Sequence, residues 1–273
     1  MGRFQHALEL MGSNDALGPL SWTDYLRGHG DSGAPKTAHH LSVQHLGGLD
    51  TDLKEAGTMV IRLGKGTFGL VRPPQLTDFF LTELDSGNAE LFFPESKPEE
   101  LFPFRLMGAG IEANGVNLAL ASGAFNAALD LPNKTPRNAP ALGKSTYDFK
   151  VRPHRELPDL CWQHSGQVEI DALVLGQRLG RWTLFVIEAK SGSGIELAKY
   201  KLAYACEALR GHPLLKGSDV EIEIVPVYLR SEPTQNGVRL SFTECSYGST
   251  TGNNNFIADL TPVHTRVLAI QLN

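Results

Sequence analysis

The stretch from Gln167 to Lys190 constrains the fold of this chain more than any other part of the sequence. It contains two runs rich in Val, Ile, Leu and Phe, joined by a short polar connection between Gly176 and Arg181. Apolar runs that meet at a glycine-bounded turn are typical of a β-hairpin. The sequence therefore predicts two antiparallel strands, of which the second is too apolar for the edge of a sheet.

Five polar side chains share one face of this predicted hairpin. The first strand carries Gln167, Glu169 and Asp171, and the second carries Glu188 and Lys190. Side chains alternate along a strand, so residues two apart point to the same face. Every register in which the numbers of paired residues sum to an odd value therefore keeps all five together.

The register decides how closely these groups meet, because a slip of one residue sends them to opposite faces. The register that we favour places Asp171 opposite Val186 and Glu169 opposite Glu188. Asp171 and Glu188 are then diagonal neighbours, about 7 Å or less between Cβ atoms. Two carboxylates at that distance can bind a hard divalent cation such as Mg²⁺. Lys190 beside them could orient a water molecule or stabilise charge on a phosphate.

The same residues have a simpler interpretation as charged groups on an exposed hairpin, where Glu–Lys pairs are common. However, the residues from Leu184 to Ile187, directly before Glu188, are apolar and typical of a buried strand. Charged groups at the end of a buried strand need a reason, because burial of a charge is costly unless the charge is paired. We therefore interpret the cluster as a functional site.

Asp171, followed by Glu188-Ala189-Lys190 at the end of an apolar strand, resembles the signature of the PD-(D/E)XK nuclease superfamily. Many type II restriction endonucleases belong to it, and they cut DNA with Mg²⁺. The proline of the signature is missing, since Ile170 stands before the acid, whereas a literal Pro-Asp pair occurs at Pro158-Asp159. We prefer Asp171 because Asp159 lies in a loop-like stretch farther from the hairpin. The resemblance covers residues 105–230.

This resemblance implies a magnesium-dependent endonuclease of the restriction type, acting on double-stranded DNA. It implies an α/β fold with a restriction-endonuclease-like core, in which helices flank a mixed central sheet. Asp171 and Glu188 would ligate Mg²⁺ with the carbonyl of Ala189, and Lys190 would position the attacking water. Cutting both strands would imply a homodimer, since two-fold DNA sites match two-fold proteins.

An extra acidic residue precedes the hairpin in many members, and Glu112 matches it near the start of a helix predicted over 108–131. Alternatively, Glu112 only favours the helix N-terminus through the helix dipole. Glu169 and Gln167 share the face of Asp171, and Glu169 would bind the metal or hold a supporting hydrogen bond.

A helix predicted over 195–210 follows the hairpin, as the resemblance implies. Some members carry a polar residue and a tyrosine on this helix, and Lys201 and Tyr204 match them in part. These two would contact DNA phosphates or the water around the metal. The alternative is a tyrosine packed in the core and a solvated lysine.

The most basic stretch of the chain, residues 132–158, precedes the hairpin and is rich in proline and asparagine. We predict a loop that follows a phosphate backbone, since such contacts position DNA without reading its sequence. A solvated loop is the alternative. The DNA-binding candidates in this stretch are Arg137, Lys144, Lys150 and Arg152.

The chain divides into a predicted N-terminal α+β domain over residues 1–92 and a nuclease core over residues 104–273, with a proline-rich segment between them. Short helices and a hairpin over 58–72, which carries Arg62 and has Lys65 at its tip, resemble a winged helix, a DNA-binding fold. Alternatively, this part is a small cap that packs on the core.

The composition limits the class of protein. The net charge of −5 is not that of a generic nucleic-acid binder, but a nuclease can keep acids in its site and localise its basic residues. Three widely spaced cysteines predict a reducing compartment, which we take as the cytoplasm. No apolar run is long enough to predict a membrane span, and the first residues do not resemble a signal segment.

Overall fold

A computed structural model describes residues 2–28, 40–85, 87–94, 96–97, 99–107, 112–132, 137–248 and 255–272. The side chains of residues 105, 107 and 137–144 lie outside this description. The described part of the chain is a mixed α/β structure in which helices flank a large mixed sheet, and this coarse prediction is confirmed.

Helices and strands are interspersed along the described part of the chain. The helices in the described ranges are α1 (Gln5–Met11), α2 (Trp22–Gly28), α3 (Thr51–Glu55), α4 (Phe102–Met107), α5 (Glu112–Ala121), α6 (Ala124–Ala128), α7 (Tyr200–Arg210) and α8 (Pro213–Lys216). The strands are β1 (Ala16–Ser21), β2 (Met59–Gly64), β3 (Thr67–Val71), β4 (Phe80–Thr82), β5 (Glu90–Phe92), β6 (Arg137–Val151), β7 (Trp162–Arg178), β8 (Arg181–Ser191), β9 (Glu196–Ala198), β10 (Ile222–Thr234), β11 (Gly237–Ser246) and β12 (Thr261–Gln271).

The large sheet has seven strands in the order β5-β12-β11-β10-β8-β7-β6. β8 pairs in parallel with β10, and β12 with β5, whereas the other neighbours are antiparallel. Parallel strands need a crossover connection, and α7 supplies it between β8 and β10. The hairpin of β7 and β8 therefore lies inside the sheet, with β8 paired on both sides.

Each face of the sheet is covered by a hydrophobic core. Phe185 and Ile187 of β8 enter the core beneath α5 and α6, and Leu184 and Val186 enter the core shared by α7 and the N-terminal part. Alternate side chains of a strand point to opposite faces, so Glu188 continues the second of these rows. Burial of each such apolar side chain stabilises the fold by about 1.5–3 kcal/mol.

The β7–β8 hairpin turns more tightly than the sequence suggested, and its register differs from the favoured one. Leu179 and Gly180 form a two-residue turn with φ values of 52° and 81°. Positive φ at both positions suits the twist of the flanking strands. This turn places Leu173 opposite Val186, so the prediction of Asp171 opposite Val186 is wrong by two residues. A shift of two residues preserves the shared face.

Residues 137–151 form the edge strand β6, so the loop predicted over 132–158 is wrong for this part. β6 pairs with β7 along its length, with one irregularity between Leu142 and Ser145. Lysine and proline are common on edge strands because they discourage pairing with another chain. The composition that suggested a loop is therefore that of a protected sheet edge.

Two predicted helices are shorter in the structure. The helix expected over 108–131 is divided into α5 and α6 at Gly123, whose φ of 79° is unfavourable for other residues. Residues 108–111 of that prediction lie outside the described residues. The helix expected over 195–210 is preceded by the short strand β9, which pairs with β4 from the N-terminal part.

The N-terminal part contains an antiparallel sheet in the order β1-β3-β2, and its β2–β3 hairpin packs on β7. Two glycines allow this contact. A Cβ atom on Gly64 would lie 2.2 Å from the carbonyl oxygen of Ser165, and one on Gly166 would lie 2.7 Å from the Cα atom of Gly64. Only glycine permits backbones to approach so closely, so the hairpin has a fixed position over β7.

Residues on both sides of the predicted boundary share one hydrophobic core, in which Phe68 and Val60 join Val168 of β7. A buried ion pair also joins the two sides, with Arg230 Nε 2.8 Å from Glu83 Oε1. The division into residues 1–92 and 104–273 and the winged-helix interpretation stay predictions. Within the described ranges, no helix combines the length and apolar character needed to cross a membrane.

Candidate active site

The candidate site lies where the backbone pairing between β7 and β8 ends, at Ala172 and Ile187. Beyond this pair, Asp171 Oδ2 accepts a hydrogen bond of 2.7 Å from the backbone N–H of Ala189. A buried N–H group needs an acceptor, and here a side-chain carboxylate replaces a backbone carbonyl. The end of the hairpin thereby becomes a polar site inside an apolar sheet.

Glu188 lies deep in this site, with 4% of its side chain exposed. Its Oε1 atom is 3.0 Å from Lys190 Nζ and 3.6 Å from Lys201 Nζ. A buried carboxylate is tolerated when it is paired, and removal of a partner leaves an uncompensated charge. Lys201 belongs to the first turn of α7, so this helix and β8 together hold Glu188 in place.

Lys190 contacts oxygen atoms from three different residues. Its Nζ atom lies 3.0 Å from Glu188 Oε1 and 3.2 Å from Glu112 Oε1, and it donates a hydrogen bond of 2.8 Å to the carbonyl of Ala189. Glu112 is the first residue of α5, which packs on the face of the sheet opposite to α7. Helices from both faces therefore bring charged groups to one point at the strand ends.

The structure thus brings together the four residues that the sequence analysis proposed as catalytic: Glu112, Asp171, Glu188 and Lys190. Glu169 is more peripheral, since 76% of its side chain is exposed and its Oε2 atom lies 3.7 Å from Lys201 Nζ. Gln167 is exposed on the same face and borders an adjacent cleft. These two residues therefore lie on the exposed side of the acids, at the border with the adjacent cleft.

Asp171 differs electrostatically from an ordinary aspartate. Burial raises its pKa to about 6, and the negative charges of Glu188 and Glu112 act in the same direction. The hydrogen bond from Ala189 and the charge of Lys190 oppose the rise but do not cancel it. A nearby cation would favour the ionised carboxylate, because opposite charges lower the pKa of an acid.

Both lysines of the site remain charged at neutral pH. Burial lowers the pKa of Lys190, but the charges of Glu188 and Glu112 outweigh burial, and the pKa lies above its usual value. The same balance of burial against Glu188 raises the pKa of Lys201. Lys190 is therefore suited to stabilise negative charge or to donate a hydrogen bond, and poorly suited to accept a proton.

The donor atoms of the site fit a hard divalent cation in their chemistry. The Lys190 ammonium, itself a cation, touches two carboxylates and a backbone carbonyl, and Mg²⁺ takes such oxygen ligands. Asp171 keeps one carboxylate oxygen that does not receive the Ala189 hydrogen bond. Among the described residues, no group of three or more His, Cys, Asp or Glu side chains is arranged to hold a metal ion. The three acids of the site therefore do not form such a group, and the set of Asp171, Glu188 and the carbonyl of Ala189 stays a prediction.

Lys201 and Tyr204 have different surroundings from those expected. Lys201 faces the acids of the site, with 14% of its side chain exposed, and is directed at Glu188 and Glu169. Tyr204 is buried against Phe149 and donates a hydrogen bond of 2.7 Å to the carbonyl of Arg62. This contact corresponds to the alternative of a tyrosine packed in the core.

The other predicted DNA-binding residues are dispersed. Lys65 is exposed at the tip of the β2–β3 hairpin, and Lys150 is exposed on β6. Arg152 is half-buried and donates a hydrogen bond of 2.9 Å to the carbonyl of Pro158. The side chains of Arg137 and Lys144 lie outside the described residues.

No local sequence pattern connects the β2–β3 hairpin with the candidate site. In the structure, Arg62 of β2 and His164 of β7 line a cleft that reaches Lys201. The facing glycines Gly64 and Gly166 hold the hairpin there, but a single sequence does not show that two distant glycines face each other.

Comparison of the chain with protein-family models, with curated proteins and with solved structures found no match. The candidate site therefore rests on its own geometry.

Proposed function

We propose that the protein is a magnesium-dependent endonuclease that hydrolyses phosphodiester bonds in double-stranded DNA, in the manner of a type II restriction enzyme. The observation that carries the proposal is the convergence of Glu112, Asp171, Glu188 and Lys190 at the end of one hairpin. The order of elements supports it, since a helix precedes the hairpin and a crossover helix directly follows the Glu-x-Lys strand. This order is the one that the resemblance to restriction-endonuclease-like cores implies.

In this proposal, Asp171, Glu188 and the carbonyl of Ala189 would hold Mg²⁺. Bound Mg²⁺ would act as a Lewis acid and as a template for phosphate oxygens. Lys190 would donate a hydrogen bond to the attacking water and offset negative charge that develops on the phosphate. Its charged state favours this role over that of a base. Glu112, 3.2 Å from the ammonium, would hold Lys190 in position.

Lys201 would act as a positioning residue for Glu188. Its ammonium lies 3.6 Å from Glu188 Oε1 and 3.7 Å from Glu169 Oε2. It thereby offsets part of the repulsion among the acids. Glu169 would assist by holding Lys201, as ligand-supporting groups commonly do in metal sites.

A second candidate function is a non-catalytic module that binds DNA or protein with a nuclease-like fold. The observation that favours it is the mutual pairing of the charged groups, since Glu188 already has two lysine partners. In this case Asp171, Glu188 and Lys190 would form an ion-pair network that stabilises the sheet and binds no divalent ion.

A cleavage assay separates the two candidates. Supercoiled plasmid and phage DNA are incubated with the protein, with and without Mg²⁺, beside Lys190→Ala and the control Lys216→Ala, whose lysine is exposed on α8. The endonuclease proposal predicts discrete Mg²⁺-dependent fragments that are lost in Lys190→Ala and retained in the control. Equal cleavage by Lys190→Ala would remove its catalytic role. DNA binding without cleavage by the wild type would favour the non-catalytic module.

Cutting of both DNA strands leads us to propose a homodimer, because two-fold sites in DNA match two-fold proteins. Sedimentation equilibrium should give twice the mass of the chain, alone or on a DNA duplex. A monomer under both conditions would contradict this part of the proposal.

A further inference from the structure

A cleft lies beside the candidate site, between the β2–β3 hairpin and β7. Its walls include Ser42, Arg62, His164, Gln167 and Lys201. Lys201 belongs to both regions, since it lines the cleft and lies 3.6 Å from Glu188. A ligand in the cleft would therefore be adjacent to the acids at the strand ends.

Arg62 is a half-buried cation that lacks a carboxylate partner among the described residues. Its Nη1 atom donates a hydrogen bond of 2.9 Å to the hydroxyl of Ser42. A guanidinium has five N–H donors in a planar arrangement that matches the oxygens of a phosphate. No other hydrogen bond of this guanidinium is present among the residues that the structure describes, so its remaining donors are available at the cleft.

His164 is a second polar group that lines this cleft, and within the described ranges its ring nitrogens make only poor contacts with backbone groups. It is 1% exposed, and neither ring nitrogen makes a hydrogen bond of normal geometry, although backbone groups of Gly166 and Arg62 lie nearby. Its ring stacks on Phe149 with centroids 4.6 Å apart. Burial lowers the pKa of His164 to about 4, so the neutral ring has one N–H to donate. Buried polar groups are rarely left unpaired, and such a group calls for a ligand or water.

We propose that this cleft binds a phosphate group, and that in the reaction proposed above the group is a phosphodiester neighbouring the one that is cut. Arg62 supplies the charged donors, and Ser42 and His164 supply neutral hydrogen bonds. Lys201 joins this subsite to the acids of the candidate site. Glu169 borders the cleft, but its charge is partly offset by Lys201, 3.7 Å away.

The position of Arg62 follows from the backbone contact between the hairpin and β7. Arg62 precedes Gly64 by two residues, and His164 precedes Gly166 by two residues. Because Gly64 and Gly166 approach each other directly, the two side chains are brought to the same cleft from different strands. The N-terminal hairpin would thus contribute to the DNA-binding surface through one arginine.

The test measures binding of a fluorescent 20-base-pair DNA duplex by anisotropy over a series of salt concentrations, with EDTA present so that no cleavage occurs. The variants are Arg62→Gln, Arg62→Lys and His164→Phe. The control is Arg181→Gln, whose arginine is exposed at the opposite end of the β7–β8 hairpin. Thermal unfolding verifies that each variant is folded, and His164→Phe keeps a ring on Phe149 while it removes both nitrogens.

Arg62→Gln should weaken binding about tenfold and should reduce the slope of log K against log salt concentration by about one. Arg62→Lys should restore the slope, His164→Phe should weaken binding by a smaller factor, and the control should match the wild type. An unchanged affinity and slope in Arg62→Gln would overturn the subsite, even if the wild type cuts DNA.

The inference rests on the proposed function for the identity of the ligand, and the two can fail separately. If the wild type neither cuts nor binds DNA, the endonuclease proposal fails. Inorganic phosphate is then titrated into the protein by calorimetry. Binding that is lost in Arg62→Gln would support a site for another phosphate compound, and absence of phosphate binding would overturn the inference.

Discussion

The substitution Asp171→Asn should stabilise the fold at neutral and alkaline pH. Burial and the neighbouring acids raise the pKa of Asp171 from 3.8 to about 6, so the ionised carboxylate is unfavourable in the folded protein. Between these two pKa values the folded state binds a proton more readily than the unfolded state. The free energy of unfolding therefore falls as the pH rises from the lower value to the higher one. A rise of about two pKa units lowers the free energy of unfolding by about 3 kcal/mol at pH 8, relative to a side chain that stays neutral.

Asparagine resembles the neutral aspartic acid, and its carbonyl oxygen can still accept the hydrogen bond from Ala189. Asp171→Asn should therefore exceed the wild type in free energy of unfolding by about 2–3 kcal/mol at pH 8. The difference should fall to about 1 kcal/mol at pH 4.5, where the wild-type carboxyl is protonated in the folded state. Urea denaturation at the two pH values, without divalent ions, measures both differences.

Asp159→Asn is the matched control, since Asp159 is the other acid that the sequence offered and it is exposed in a loop. It should leave the stability unchanged at both pH values. A variant Asp171→Asn that equals the wild type, or is less stable than the wild type at pH 8, would refute the argument that this carboxylate is held at an energetic cost.

Three further predictions concern the ion, the lysine and the hairpin contact. Mg²⁺ at millimolar concentration should raise the melting temperature of the wild type at pH 8 and not that of Asp171→Asn, because only the wild type has the Asp171 carboxylate as a metal ligand. Differential scanning fluorimetry before and after EDTA measures this rise. A rise of equal size in both proteins would contradict the site. Lys201→Met should lower the free energy of unfolding by about 1–3 kcal/mol because Glu188 loses a partner. Urea denaturation compares it with the control Lys216→Met. Equal urea midpoints for the two variants would show that the Lys201–Glu188 pair contributes nothing to stability. Gly166→Ala should destabilise the protein by about 1–3 kcal/mol or more, because its Cβ would lie 2.7 Å from Gly64 Cα. The control is Gly194→Ala, in which no atom lies within 4 Å of the added carbon. Similar unfolding curves for both variants would argue against the close contact.

The sequence allowed the central hairpin and the polar face to be predicted, because both depend on local alternation. The strand register could not be predicted, because the turn contains Leu179 at positive φ. Leucine rarely adopts this conformation, so the sequence does not indicate a turn at this position. The polar residues of both strands still share one face, because the observed register differs from the predicted one by two residues. The acids therefore meet as expected although their partners differ.

Elements that depend on contacts between residues far apart in the sequence were predicted less well. The edge strand β6 has a loop-like composition because its open edge favours lysine and proline, which a single sequence cannot distinguish from a true loop. The contact of Glu112 with Lys190 and that of the β2–β3 hairpin with β7 are long-range, and no local pattern specifies them. The resemblance suggested Glu112, but only the fold shows that side chains of α5 and α7 reach one site from opposite faces of the sheet.

The proposed endonuclease requires a divalent ion at the hairpin end beside Lys190. A crystal grown with Mn²⁺, with anomalous diffraction measured at the manganese absorption edge, would locate such an ion. We expect an anomalous peak about 2 Å from carboxylate oxygens of Asp171 and Glu188 and from the carbonyl oxygen of Ala189. A map without such a peak, with Lys190 still between Glu112 and Glu188, would exclude the metal site.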